Sequence, residues 1–598
     1  MPYFGIPIRN GLPIGLGSVA GFGIAPFEPY SLFENGEQGA WYDPSDFSTL
    51  FDDSAGTTPV TGVEQFVGLM LDKSKGLVLG PELVDTANTA AAWTPYGSNT
   101  VATISNGVAI TFVNDARGAL LTFNAAGGLS GNLDSTKIYR FSITLQLNTG
   151  TATVNLTNVT PAVSFPTITT TPQTVVFYTT RTAFTPELAF DGLSSGEILS
   201  VTNVSVRELP GNHATQTNSA KRPKLAARYN LLTYTEDFSN AAWGTGISGG
   251  ASAATKSTTT GLNPNGVSTT IDVITFPAVS GGQASFLFQN TGQALLNVST
   301  TATVYARVQS GTGTIYVNVE DNGAAPSGGN FYAGTAQTLT TTWQRLSISG
   351  TRTVNVGGTI VTIGFDTRAA AGQTNAAPLV VELWGADFRP TSQATGLIGP
   401  TYQRVVDAAT YDTAGFLPYL EFNGLSWSMS TNSIDFSAVP TDKMTVWAGV
   451  RKQADPVYGC LAELSANDNL NNGAFSLFAP ALGDGFSYSF ASKGTIKVAV
   501  GPGISAYPAP ITSVVAGISN ISGPAVTLRV NGVQAATSTS SQGTGNFGNY
   551  PLFIGQRAAS SLPFNGWLTS LIVRGAQSTQ SQIEATESWV NGKTGAYV

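Results

Sequence analysis

The feature that most restricts the fold of this chain is a rhythm of strand-length blocks in which apolar and polar side chains alternate. KIYRFSITLQL (137–147), TATVYARV (301–308) and VTLRVNG (526–532) are examples, and each ends in residues suited to a turn. A period of two places alternate side chains on opposite faces of a sheet, so such blocks bury one face and wet the other. Composition agrees with this pattern. Gly numbers 67, charged residues are only 11%, and Thr, Val, Ser and Asn fill long passages. β-branched residues suit pleated surfaces, and Gly and Asn supply turn conformations. The expected fold class is all-β, with several β-sandwich (jelly-roll) domains in series after an extended N-terminal arm.

The same composition removes several kinds of function. Net charge is -8, and the densest basic group, Lys221, Arg222, Lys224 and Arg228, is short. No nucleic-acid footprint is present, so no nucleic-acid partner is expected. The apolar fraction is 42% without an uninterrupted run of bilayer-spanning length, so no membrane insertion is expected either. Pro and Gly interrupt MPYFGIPIRNGLPIGLGSVAGFG where a signal helix would be continuous, which points to synthesis in a cytoplasm. Cys460 is the only cysteine and His213 the only histidine. Multi-His metal sites and Cys clusters are therefore excluded, and any Ser-His-Asp or Cys-His chemistry would have to use His213.

Residues 1–38 form the expected arm, too apolar at Ile6, Ile8, Leu12, Ile14 and Val19 for a purely solvated tail. A small structural module is expected over 39–80, a sandwich over 81–209 and a linker over 210–229. A second sandwich follows over 230–395, a bridging segment over 396–413 and a third sandwich over 414–598. The second unit echoes the first: LLTYTEDFSNAAW (231–243) parallels LVDTANTAAAW (83–93), so one plan is used twice. Trp93 and Trp243 are read as core lids. The tail TQSQIEATESWVNGKTG holds the one dependable helix, capped by Ser578 or Thr579 and ended by Gly592.

In the third unit, LEFNG (420–424), MTVWAGVRK (444–452), the VTLRVNGVQ hairpin (526–534), PLFIGQR (551–557) and LPFNGWLTSLIVRG (562–575) follow a specific order. In this order the unit resembles the concanavalin-like, laminin-G-type jelly rolls. Asn531-Gly532 marks a type I′ turn, which needs positive φ at both central residues. The segment GAWYDPSDFSTLFDDSAGTTPVTGVEQFVGLMLDKS (39–74) resembles a module of tailed-bacteriophage virion proteins. Host-contact proteins of that class join it to carbohydrate-module-like jelly rolls through a linker similar to PGNHATQ…RP. They then open the next unit with a phrase similar to NLLTYTEDFSNAAW, the order found here.

The acids of GAWYDPSDFSTLF lack the spacing of a calcium loop, and nothing places them across a cleft. Asp43-Pro44 instead suits a turn, Ser45 or Asp46 a helix cap, and Phe47, Leu50 and Phe51 an apolar face. The resemblance implies virion attachment through the N-terminal region, with Ile8, Arg9, Leu12, Trp41, Tyr42 and Asp43 as candidates. For glycan binding the candidates are Trp427, Tyr488, Tyr507 and Tyr550. No resident cofactor is expected. Laminin-G-like folds sometimes hold Ca2+ at one rim, however, and ELSANDNLNNG offers Asp468 and Asn469 as metal candidates. No residue is assigned as catalytic: the paired acids of glycanase jelly rolls and the repeats of a β-helix depolymerase are both missing.

These expectations combine in a non-enzymatic virion protein, a tail fibre or receptor-binding protein that adheres to host surface polysaccharide. The alternative is a capsid decoration or head-fibre protein with a purely structural role, and a polysaccharide depolymerase ranks last. Other virion proteins are the expected partners, and a homo-oligomer, a trimer by analogy, is the expected assembly.

Overall fold

The computed structural model describes residues 27–597, apart from 114–117, 123–127, 152–158, 161–162, 164, 182–186, 190–192, 228–229, 293–294, 323–328, 355–357, 369–371, 392–401, 407–417 and 438–440. The arm residues Ile8, Arg9 and Leu12 lie outside the described residues. The fold is all-β: among the described residues six antiparallel sheets enclose three large hydrophobic cores, one for each sandwich.

The first sandwich sets a six-stranded sheet against a three-stranded one, and the second a six-stranded sheet against a five-stranded one. Their main sheets share one strand order. In the first it runs Thr100–Ile104, Gly107–Thr111, Ile198–Glu208, Tyr139–Leu147, Gln173–Arg181. In the second it runs Thr255–Leu262, Ser268–Phe276, Leu379–Pro390, Ser299–Val308, Gln344–Thr351. Each unit thus opens this sheet with a hairpin and inserts its closing strand at the centre, where a register shift bends it. The opening tryptophans are core lids in both. Trp93 and Trp243 are buried, and each indole donates to an upstream carbonyl, Ala87 O at 2.8 Å and Tyr234 O at 3.1 Å.

The third sandwich differs most from the expected division. Its eight-stranded sheet holds Tyr419–Asn423, Asn565–Arg574, Lys443–Lys452, Ile511–Asn520 and the hairpin Ala525–Val530/Val533–Ser538. Asn531 and Gly532 both have positive φ, 52° and 76°, as the expected turn requires. The same sheet also contains Gly39–Tyr42 and Lys224–Ala226. The opposing nine-stranded sheet begins Leu50–Phe51, Leu69–Met70, Ala214–Thr215 before reaching Met429–Asp435. Ala40, Tyr42, Leu50, Val63, Met70, Ala214 and Leu225 share one core with Leu420, Val446, Phe475 and Leu571. Residues 39–80 are therefore no separate module and 210–229 no linker. Both contribute strands to the C-terminal sandwich, Gly39–Tyr42, Leu50–Phe51 and Leu69–Met70 from the first and Ala214–Thr215 and Lys224–Ala226 from the second, because isolated strand pairs of two or three residues cannot bury their apolar faces alone.

Backbone geometry explains why the first strand starts with glycine. A Cβ at Gly39 would stand 1.9 Å from Val573 O, so only Gly lets the strand lie against its partner. The first inserted sandwich leaves and re-enters at one point, where Gly80 N donates to Glu208 O at 2.8 Å. Insertions with adjacent ends disturb a host domain little.

The C-terminal helix spans Gln580–Thr594, capped by Thr579 in a reciprocal pair with Gln582. It runs through Gly592, the expected stop, and ends at Gly595 in the left-handed conformation. Gly at that position costs nothing sterically and frees the last carbonyls to be capped.

A fragment of residues 414–598 alone lacks five strands of its two sheets. It is expected to show no cooperative thermal transition and to bind a hydrophobic dye. A chain with residues 81–208 replaced by a short Gly/Ser link keeps a cooperative transition. Circular dichroism melts of the two proteins check this, and a cooperative melt of 414–598 would contradict the shared core.

Candidate functional site

The single histidine lies where the N-terminal strands meet the former linker. His213 is 3% exposed; its Nδ1 accepts from Asp72 N at 2.9 Å and its Nε2 lies 3.1 Å from Leu209 O. With Nδ1 accepting, the proton sits on Nε2 and the ring is neutral. Asp72, fully buried, accepts from Trp41 N (2.8 Å), Ser74 N (2.8 Å), Ser74 Oγ (2.8 Å) and Asn212 N (2.7 Å). Asn212 donates to Gly39 O at 2.6 Å and accepts from the Tyr42 hydroxyl. Both partners of the imidazole among the described residues are backbone groups, Asp72 N and Leu209 O. His213 is a buried strut.

Burial lowers the His213 pKa, with the Asp72 charge opposing. The unfolded chain protonates its histidine near the ordinary value of 6.5, whereas the folded chain resists it. Stability from this group is thus present above that value and lost as pH falls below it. The melting temperature is expected to drop as pH falls from 7 toward 5, roughly the range bracketing the ordinary histidine pKa. His213→Gln should flatten the histidine component of that slope, and an unchanged slope would contradict the assignment.

The attachment candidates of the opening segment are also spent internally. Trp41, Tyr42 and Asp43 are 4%, 0% and 5% exposed. Trp41 meets Trp589 of the helix edge-on, with centroids 5.6 Å apart, and Lys73 lies over its ring at 4.5 Å. Asp43 takes Lys593 at 2.9 Å and Lys73 at 3.4 Å, and Asp46 caps the 3-10 turn Phe47–Thr49. Through Trp41 and Asp43 this segment clamps the C-terminal helix.

The aromatic candidates of the third sandwich do not converge. Tyr488 is fully buried, donates to Ser513 Oγ at 3.1 Å, and packs on Tyr507 at 5.8 Å. Tyr550 donates to Asn472 O at 3.1 Å, and half-buried Trp427 abuts Phe66 edge-on at 5.6 Å. Tyr507, Tyr550 and Trp427 all pack against the main core, which is the lower-energy use of a large ring in a sandwich.

The metal candidates are corrected too. Asp468 is 1% exposed, with Arg557 at 2.6 Å, Lys497 at 2.8 Å and Ser476 also bonded to it. Arg557 also binds Glu463 at 2.8 Å, and burial raises the Glu463 pKa. Asn469 is exposed and accepts from Lys497 at 2.9 Å. Cations of the chain already occupy the position an ion would take. No grouping of three or more metal-ligating His, Cys, Asp or Glu occurs among the described residues.

A concave feature that could take a ligand lies in the second sandwich. A cleft of about 450 Å³ is lined by Tyr234, Glu236, Asp237, Asp272, Trp384 and Arg404, with Thr258, Thr269 and Thr270 alongside. That size is within the range of small-molecule sites. Asp272, on the strand Ser268–Phe276, accepts from Phe238 N at 2.9 Å and Ser239 N at 3.0 Å and so pins the loop carrying TYTED. Burial raises its pKa, with the Asp237 charge adding to the effect and the hydrogen bonds opposing it. Lys256 ties the same loop down through Asn240 O at 3.4 Å and Trp243 O. Tyr234 adopts a φ of 50°, a costly conformation for a tyrosine, held by Tyr234 N to Val406 O at 3.0 Å and Thr235 N to Val405 O at 3.0 Å.

Glu236 accepts from the Tyr402 hydroxyl at 2.9 Å and pairs with Arg404 at 3.1 Å. Burial and the Glu236 charge push the Tyr402 pKa upward, which keeps its hydroxyl a donor. Tyr402 packs on Trp384 at 5.0 Å, and Trp384 on Tyr305 at 5.7 Å. The Arg345 guanidinium lies over Tyr305 at 4.6 Å. The result is a cleft of aromatic surface, carboxylates and hydroxyls, in whose wall the Ser239 hydroxyl also donates to Asp272. LLTYTEDFSNAAW, which reads in the sequence as the mark of a repeated plan, supplies Tyr234, Glu236 and Asp237 to the cleft, and these acids beside an aromatic are the signal for it.

No protein family matches this sequence, and no curated protein matches it. Among solved structures, similar chains include the tandem CBM22-1–CBM22-2 domain of Xyn10C from Paenibacillus barcinonensis, at 11% identity and a TM-score of 0.20. It covers 52% of this chain and 97% of its own. Domain 4 of AbnA, a GH43 extracellular arabinanase from Geobacillus stearothermophilus, in complex with arabinotriose, is 16% identical with a TM-score of 0.23. That match covers 30% of this chain and 82% of the other. The Ruminococcus gnavus IT-sialidase CBM40 bound to α2,3-sialyllactose is 14% identical over 26% of this chain and 97% of its own, with a TM-score of 0.22.

Proposed function

We propose that this protein is a non-enzymatic adhesin of a tailed-phage particle, a tail fibre or related receptor-binding protein, and that it holds host surface glycan in the cleft of its second sandwich. The cleft is the observation that carries the reading. It offers acceptors at Glu236, Asp237, Asp272 and three threonines beside the rings of Tyr234 and Trp384, the mixture a sugar needs for its hydroxyls and its apolar face. Adhesion without cleavage fits the carboxylates' present work. Asp272 is bound to the loop backbone and Glu236 to Arg404 and Tyr402, so neither stands ready to move a proton.

The phage setting rests on the resemblance of residues 39–74 and of the phrases that follow them. The third sandwich, whose candidate rings Trp427, Tyr488, Tyr507 and Tyr550 pack on its core, acts in this reading as the platform from which the other two project. A decoration or head-fibre role is the rival, and it is favoured to the extent that these aromatics serve packing alone.

The intact protein, applied to an array of bacterial surface glycans, is expected to bind at least one. Trp384→Ala combined with Glu236→Ala should weaken that binding at least tenfold, about 1.4 kcal/mol. No binding on any array, or an unaffected double variant, would count against the reading. Antibody labelling of particles should mark the tail, and a head location would support the decoration role. Shortening of the bound polysaccharide would instead point to a depolymerase.

A further inference from the structure

We infer that the cleft of the second sandwich selects uncharged glycans and rejects those bearing carboxylates, an inference that rests on the adhesin reading above. The cleft is lined by three acids, Glu236, Asp237 and Asp272, and by one cation among the described residues, Arg404. Arg404 offsets one of these charges, its Nε lying 3.1 Å from Glu236 Oε2, and leaves the acids in excess. The neighbouring cations are directed elsewhere. Lys256 donates to the carbonyls of Asn240 and Trp243, and Arg345 donates to Thr303 while covering Tyr305 and Tyr402.

A ligand therefore meets excess negative charge and an array of acceptors. Sugar hydroxyls are donors and can satisfy carboxylates directly, as charge-assisted bonds that are stronger than neutral ones. A ligand carboxylate brings only acceptors and a like charge. It would lose its own water beside like charges without gaining a donor from these acids, a combination that works against binding. Asp237 is exposed and Glu236 half-buried, so both stand where an arriving ligand first meets the protein.

The test uses the intact protein and paired oligosaccharides that differ in a carboxylate, such as galactose oligomers against galacturonate oligomers and lactose against sialyllactose, by isothermal titration. The neutral member of a pair is expected to bind at least tenfold more tightly in low salt. Raising the salt should narrow the gap, because screening acts on the exposed part of the repulsion. Glu236→Gln with Asp237→Asn keeps the acceptors of the Tyr402 and Asn240 bonds while removing two charges, and a matching thermal melt verifies the fold. In that variant the acidic member should come within about threefold of the neutral one. Equal or tighter binding of acidic oligosaccharides by the unaltered protein would overturn the charge selection and leave adhesion standing. An unmoved ratio in the double variant would do the same. Binding of no oligosaccharide and no array glycan would overturn both.

Discussion

The closing strand of the C-terminal sandwich has one long edge and two partners to cover it. Tyr419–Asn423 takes the first part, pairing through Asn565–Leu568, and Gly39–Tyr42 takes the remainder, pairing with Leu571–Arg574. Without the second partner, four buried residues would expose their backbone groups and the apolar side chains between them. Covering this edge brings Trp41 and Tyr42 into the protein, each contributing about 2–3 kcal/mol by burial. It also brings Arg574 against Leu32 O at 2.7 Å and Glu37 at 2.7 Å. The buried Asp72 network, the Trp41–Trp589 contact and the Lys593–Asp43 pair all follow from that one strand addition.

This construction makes the C-terminal sandwich a host and the other two sandwiches its insertions. The chain leaves the host after residue 79 and returns at 209, then leaves again after Ala227. The base is closed by Gly39–Tyr42 from one side of the insertions and by Asn565–Arg574 from the other. The inserted sandwich that carries the cleft is freed from supporting the core and can hold a strained tyrosine and a cluster of acids. The strained cleft and the shared host core thus lie in different parts of the molecule, the arrangement expected where local strain is held by a separate scaffold.

Much of the fold was legible in the sequence because alternation is a local signal. The strands, the Asn531-Gly532 turn, the Thr579 cap and the two lid tryptophans could all be read from neighbours in the chain. The assignment of residues 39–72 and 214–226 to a distant sheet could not, since strands of two to four residues carry no pairing partner in their own pattern. GAWYDPSDF looked like a self-contained module because Asp46 does cap a local turn, but Trp41 and Tyr42 are buried by residues more than five hundred positions away. The site was missed for the opposite reason. Tyr488 and Asp468 have the chemistry of ligands, yet Ser513, Arg557 and Lys497 already satisfy them, whereas Glu236 and Trp384 meet only when the loop at 234–237 folds over the sheet.

The account stands or falls on whether the N-terminal strands belong to the C-terminal core. Native-state hydrogen exchange of the intact protein, resolved by peptide, tests this directly. Amides of Gly39–Tyr42 and Leu69–Met70 should exchange only with the global opening that also releases Lys443–Lys452 and Asn565–Arg574. Exchange of the N-terminal strands in a separate, faster opening, with the C-terminal strands still protected, would contradict it.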